Sequence, residues 1–180
     1  MSVVYLIDGY NVLHALRALE GRTTTERLQE GELEDERRRL VDRISSFMGG
    51  TDDRAIVVFD SRRAAMQRAE SAARNVEVFF ASFSRNADSI IEREAYALRT
   101  AGNIVVVTSD YGLQKTVFLP NVIRRSSRQF VHDLQEHTTK VANRENCITM
   151  GHRVEEDVDA ATLSRLKDLR QQLERDEDSR

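Results

Sequence analysis

Three apolar runs in this chain end directly in an aspartate: residues 3–8, 55–60 and 104–110 end at Asp8, Asp60 and Asp110. A continuous β-branched run is typical of a strand buried on both faces of a parallel sheet. The carboxyl ends of such strands lie at one edge, where ligands bind. Two carboxylates ~4 Å apart repel each other by about 4 kcal/mol at an effective dielectric constant near 20. A divalent cation relieves this repulsion, so the pattern predicts a metal site and phosphodiester chemistry.

A further acidic pair falls at the start of a predicted helix. Asp88 lies in its first turn and Glu92 follows four residues later on the same face. The helix dipole alone favours an acid at this position, and Asp near strand ends also favours turns for local reasons. Each acid taken singly therefore has a structural explanation. Four acids at four successive strand-to-loop junctions are harder to explain in that way.

The elements that must position these acids alternate along the chain. The sequence predicts strands at residues 3–8, 55–60, 76–81, 104–109 and 122–123. It predicts helices at residues 11–19, 32–48, 87–100 and 111–117, another helix from Ser126, and a tail helix at 157–173. Residues 21–31 and 82–86 are predicted loops, and residues 61–74 a loop or a short helix. This alternation predicts a doubly wound α/β domain with a parallel sheet.

The chain length of 180 residues suits one core domain, which we place at residues 1–145, followed by a C-terminal extension at 146–180. The extension has four leucines at helical spacing, which either pack on the domain or bind a partner. They are Leu163, Leu166, Leu169 and Leu173. Because Cys147 is the only cysteine and the chain starts with a strand rather than a leader, we expect a reducing compartment, by default the cytoplasm.

Charge is unevenly distributed in the chain, whose formal net charge is −3. Residues 151–180 hold nine acids against six bases, whereas residues 111–144 hold six bases against two acids. The basic segment either contacts a phosphate backbone or forms a solvated basic surface. Both interpretations stay open on charge alone.

Several strings in the chain resemble a known family. Residues 6–15, Leu-Ile-Asp-Gly-Tyr-Asn-Val-Leu-His-Ala, look like the opening signature of NYN domains, a branch of the PIN-like nucleases. Residues 57–60, 87–92 and 107–110 fall in the order and spacing of the YacP-like members of that branch, a bacterial and plastid group. The resemblance runs from about Val3 to His137 and implies a PIN-like three-layer fold: a mainly parallel central sheet flanked by helices, plus a C-terminal helix.

The resemblance also implies an activity: Mg²⁺- or Mn²⁺-dependent endoribonuclease cleavage of RNA, with mRNA in a ribosome-associated context as the expected substrate. It transfers catalytic and metal-binding roles to Asp8, Asp88 and Asp110, and supporting roles to Asn11, Asp60, Glu92 and Ser109. The stretch before Ala87 departs from the family pattern, which usually contains glycine and an acid there. We assign RNA contacts to Arg85 in that stretch and to Lys115, Arg124, Arg125 and Arg128. For a mature plastid chain, the stroma would replace the cytoplasm.

Two other interpretations compete with the nuclease. A non-catalytic RNA- or ribosome-binding module would be expected to lose a central acid, and this chain keeps all of them. A haloacid-dehalogenase-like phosphatase needs a second aspartate two residues after the first, and that position is Tyr10. The four histidines lack compact metal-ligand spacing, and Cys147 has no evident base partner.

Overall fold

The computed structural model describes residues 2–22, 30–60, 67–68, 72–81, 86–100 and 102–156, with side chains described except at 30, 67–68 and 145–156. The strands in these ranges are β1 (Val3–Asp8), β2 (Arg54–Asp60), β3 (Gln67–Arg68), β4 (Val76–Ala81), β5 (Asn103–Val107) and β6 (Val122–Arg125). The helices are α1 (Gly9–Leu19), α2 (Glu30–Met48), α3 (Ala87–Leu98), α4 (Tyr111–Thr116) and α5 (Ser127–Glu156).

The described strands form one sheet in the order β3-β4-β2-β1-β5-β6. All neighbouring pairs are parallel except β3 with β4. The predicted α/β fold with a mainly parallel sheet is therefore confirmed. The chain winds outward from β1 in both directions, which creates a topological switch point between β1 and β5. Asp8 pairs with Val58 and Ile7 with Val107, so β1 and β5 end within one residue of each other, whereas β2 continues two residues further, to Asp60.

Helices cover both faces of the sheet, which gives the three layers expected. On one face, α1, α2 and the first turns of α5 pack against Ile7, Val57 and Phe59. On the other face, α3 and α4 pack against Leu6 and Val106. Successive side chains of a strand point to opposite faces of the sheet, and helices bury both faces. This explains why the strands are continuous apolar runs.

Several predicted boundaries need correction. Residues 67–68 were expected in a loop or a short helix, but they form a strand antiparallel to Phe79 and Phe80 of β4. The local sequence has no strand pattern there. The segment becomes a strand because its backbone pairs with β4. Helix α2 begins at Glu30 and so takes the end of the predicted loop, whose residues 23–29 lie outside the described ranges. Strand β5 ends at Val107, two residues before its predicted end. Strand β6 ends at Arg125, two residues after its predicted end.

Helix α5 begins where its predicted cap indicated, since the Gln129 N–H donates to Ser126 Oγ at 3.2 Å. The chain divides into two compact units, Met1–Thr138 and Thr139–Arg180. The predicted boundary between residues 145 and 146 falls inside α5 and stays a prediction. The predicted tail helix at 157–173 lies outside the described residues. In the described part of the chain, no helix combines the length and apolarity needed to cross a bilayer.

Candidate active site

Asp8 is the buried acid at the end of β1 and also the N-cap of α1. Its Oδ1 accepts from the Asn11 N–H at 3.1 Å, and its Oδ2 accepts from Asn11 Nδ2 at 2.6 Å. The turn-forming role that local chemistry favours for these two residues is therefore present. It also holds the carboxylate in one orientation, which a ligand site requires.

Gly9 permits the close approach of β2 to this turn. A Cβ atom placed on Gly9 would lie 2.5 Å from Cδ1 and 2.9 Å from Cζ of Phe59. Phe59 is fully buried and stacks on Phe80 at 5.7 Å between ring centroids. The ring has little room to move, so only glycine fits at the first position of α1 without a shift.

Thr108 joins two of the acids through one hydroxyl. Its Oγ1 donates to Asp8 Oδ2 at 3.3 Å and accepts from the Asp110 N–H at 3.0 Å. Thr108 is fully buried, directly after β5 and level with Asp8. Asp110 in turn caps α4, because its Oδ1 accepts from the Leu113 N–H at 3.0 Å. The switch point between β1 and β5 thus carries both predicted acids.

Asp88 reaches the same region from the opposite layer. It lies in the first turn of α3, whose N-cap Asn86 accepts from the Ser89 N–H at 3.0 Å. Partial burial raises the pKa of Asp88, and the negative charges of Asp8, Asp110 and Asp60 raise it further. Such an influence requires the other three carboxylates to be near. Asp8, Asp60 and Asp110 therefore lie within electrostatic range of Asp88.

The chemistry of this donor set fits a hard divalent cation. Carboxylate, amide and hydroxyl oxygens are what Mg²⁺ and Mn²⁺ prefer. Among the residues that the structure describes, no three Asp, Glu, His or Cys side chains stand ready to ligate one ion directly. Mg²⁺, however, keeps several waters and is usually bound through one or two carboxylates. The acids thus fit a hydrated ion held partly through water.

Besides Asn11, which contacts Asp8, the predicted supporting residues Asp60, Ser109 and Glu92 have different surroundings. Asp60 is exposed at the end of β2 and acts on Asp88 through its charge. The Oγ of Ser109 accepts from the Ser127 N–H at 3.2 Å, which connects the β5 end to the start of α5. Glu92 is exposed one turn further along α3 and lines a different cavity, with Tyr96 and Leu119.

The predicted RNA contacts are similarly divided. Arg128 is exposed and lines a cavity of about 370 Å³ with Asn11, which contacts Asp8, and Ser109, which precedes Asp110. Arg125 forms a 2.9 Å ion pair with Asp133. Lys115 and Arg124 are exposed and each lies over an aromatic ring. Arg85 lies outside the described residues.

Sequence reasoning missed two residues that organise this site. Thr108 has no role among the predicted site residues, but its hydroxyl contacts the Asp8 carboxylate and the Asp110 N–H. Gln114 also lacked any assigned role, and its Nε2 donates to the Thr108 carbonyl at 2.8 Å. The burial of Thr108 at the end of an apolar strand was a usable signal, because a buried hydroxyl needs a partner. No local pattern identifies Gln114.

The sheet order and the acidic edge define an α/β domain with a strand-end site at its switch point. The model of the YacP-like NYN domain matches residues 5–171, and the chain belongs to this family. The "Uncharacterized protein YacP" of Bacillus subtilis (strain 168) is 30% identical over 147 residues, covering 81% of this chain and 83% of that protein. The NYN domain is a nuclease-type fold, and the family implies an RNA substrate.

Two crystal structures from Bacillus subtilis are similar to this chain. Rae1 (YacP) is 28% identical, with a TM-score of 0.67, and the match covers 99% of this chain and 98% of that one. A point mutant of Rae1 (YacP) is 30% identical, with a TM-score of 0.64 and coverage of 81% and 82%. These matches agree with the predicted family and fold.

Proposed function

We propose that this protein is a Mg²⁺- or Mn²⁺-dependent endoribonuclease. The observation that carries the proposal is the grouping of Asp8, Asp88 and Asp110: burial raises the pKa of Asp88 most, and the charges of Asp8 and Asp110 raise it further. A fold gains nothing from crowding carboxylates around a partly buried position. A cation that neutralises them explains the arrangement, and the nuclease-type family supplies the reaction class.

The residues of the chain divide the work as follows. Asp8 is held by Asn11 and Thr108, so its carboxylate keeps one orientation toward the switch point. Asp88 and Asp110 add negative charge from α3 and the β5 end, and all three bind a hydrated ion directly or through water. When bound, the ion supplies an activated water and stabilises the leaving oxygen of the phosphodiester.

The substrate strand would run between basic groups that lie close to the acids. Arg128 lies in the cavity next to Asn11 and Ser109, where it would hold a phosphate next to the scissile one. Arg124, on β6 after α4, would add a second contact with the RNA backbone. Arg125 is paired with Asp133, so its contribution to RNA binding should be smaller than that of Arg124.

From the family resemblance alone, we further propose that the substrate is mRNA and that the protein associates with the ribosome. On the same ground, we propose the cytoplasm or a plastid stroma as its compartment. A non-catalytic RNA-binding module is the competing function. The retention of every central acid disfavours it, because a binding module has no use for a repulsive acidic region beside a polyanion.

The test is cleavage of an end-labelled RNA by the full chain with Mn²⁺, resolved on a gel. Asp8→Asn and Asp88→Asn should each lose cleavage at least a hundredfold while keeping their folded circular dichroism spectrum. Asp42→Asn is the matched control, an exposed acid on α2 that should leave cleavage unchanged. Undiminished cutting by both site variants would remove these acids from the mechanism. RNA binding without cutting by the wild-type chain would favour the binding module.

A further inference from the structure

Tyr111 and Phe118 are large exposed aromatic side chains at the two ends of α4, the helix that Asp110 caps. They are 70% and 75% exposed. Tyr111 directly follows Asp110 and begins α4, and Phe118 follows the end of that helix. Aromatic rings of this size are normally buried, so exposed ones beside a functional site indicate a binding surface.

A cationic side chain lies over each of the two rings. Lys115 is one helical turn after Tyr111, and its Nζ lies 4.5 Å from the Tyr111 ring centroid. The guanidinium carbon of Arg124 lies 4.9 Å from the ring centroid of Phe118. Both rings are therefore paired with a positive charge, Tyr111 with one from α4 and Phe118 with one from β6.

Arg124 is also tied to the active site by a chain of hydrogen bonds. Its Nη1 donates to the Gln114 carbonyl at 3.2 Å, and the Gln114 side chain donates to the Thr108 carbonyl at 2.8 Å. Thr108 is the residue that contacts Asp8 and Asp110. The position of the Phe118–Arg124 pair relative to the acids is thus set by direct contacts, so a ligand bound there is held in register with the reaction.

We propose that Tyr111 and Phe118, with Lys115 and Arg124, form a stacking platform for the bases of single-stranded RNA. This inference rests on the proposed function and specifies its substrate class. Aromatic side chains stack on bases of any sequence, while nearby cations neutralise the phosphates. In an A-form duplex the base faces are already stacked on each other, so the platform would select unpaired RNA.

Charge favours RNA over a protein as the occupant of this surface. Residues 111–128 contain four basic residues and no acidic one. A protein-binding patch is also rich in aromatic residues and arginine, but it is depleted in lysine, which here lies over Tyr111. Here every ring of the platform has a cation directly over it, which suits a ligand that is aromatic and anionic at once.

The experiment measures binding, not cleavage, so that the platform and the nuclease can fail separately. Fluorescence anisotropy of the full chain in EDTA would compare a labelled oligouridylate with an abasic strand of the same length. The wild-type chain should prefer the strand that carries bases, since the phosphates are the same. Tyr111→Ala and Phe118→Ala should each weaken oligouridylate binding about tenfold and leave abasic binding unchanged.

Conservative variants separate stacking from general loss of contact. Tyr111→Phe keeps the ring and should bind like the wild type, whereas Phe118→Leu keeps apolar area without the ring face and should bind like Phe118→Ala. Both positions are so exposed that these variants should fold normally, which thermal unfolding would check. Equal wild-type affinity for the two strands, absence of RNA binding, or Ala variants that keep the base preference would each overturn the platform. Base-selective binding without cleavage would instead refute only the enzyme.

Discussion

Thr108→Val removes the hydroxyl that contacts Asp8 and Asp110 while keeping the shape of the side chain. The lost bond to Asp8 has a charged acceptor but is long, 3.3 Å, which places its worth at the low end, about 1.5 kcal/mol. The Asp110 N–H loses its acceptor too, but Asp110 is exposed and water can replace it, so this term is about 0.5 kcal/mol. The free energy of unfolding should therefore fall by about 2 kcal/mol.

Urea denaturation of the full chain, read by circular dichroism, measures this loss. The midpoint should drop with an unchanged slope, because the substitution does not change the surface exposed on unfolding. In a thermal scan the loss corresponds to a Tm lower by about 4–8 °C. RNA cleavage with Mn²⁺ should fall at least tenfold, because a misplacement of Asp8 by ~1 Å is costly to catalysis.

Two controls define what would contradict the reasoning. Thr138→Val removes a hydroxyl that donates to the Leu134 carbonyl at 2.9 Å on an exposed part of α5, and should stay within about 0.5 kcal/mol of the wild type. Thr108→Ser restores the hydroxyl without the methyl group and should recover cleavage with only part of the stability. A Thr108→Val protein with wild-type stability and full cleavage would show that the hydroxyl positions neither acid.

Three further predictions concern Gly9, the charge of Asp88 and the binding of Mn²⁺. Gly9→Ala should destabilise the protein by about 1–3 kcal/mol, because its Cβ meets the rigid ring of Phe59. Gly31→Ala in α2 is the matched control: it has open space and should stabilise by about 0.5–1 kcal/mol, and equal effects of the two would contradict the steric argument. Asp88→Asn should stabilise the protein slightly at pH 7, by at most about 1 kcal/mol for a group this exposed. Because the pKa of Asp88 is raised in the folded protein, its negative charge destabilises the fold at pH values above that folded pKa. The destabilisation vanishes below the ordinary value of 3.8, so calorimetry at falling pH should show a shrinking stability difference between Asp88→Asn and the wild type. Mn²⁺ should raise Tm more in the wild type than in Asp88→Asn. An Asp88→Asn protein less stable than the wild type at pH 7 would contradict this account.

Much of this architecture is readable from local pattern. The apolar runs that end at Asp8 and Asp60 became strands that end at those residues, and the cap at Ser126 marked the start of α5. Periodicity and capping report interactions within a few residues, and these survive any global arrangement. The residue types at the strand ends also sufficed to place the chain in its family.

Only the tertiary structure decided which of these residues meet. The strand order puts β5 beside β1, and so lets Thr108 reach Asp8 across one hundred positions of sequence. It also pairs Arg125 with Asp133 and makes a strand of Gln67–Arg68, neither of which has a local signal. Distances between strand ends depend on how every crossover packs on the sheet, which is a property of the whole chain. The sequence by itself therefore determined which groups this protein has for chemistry, and the packing of distant segments determined which of them act together.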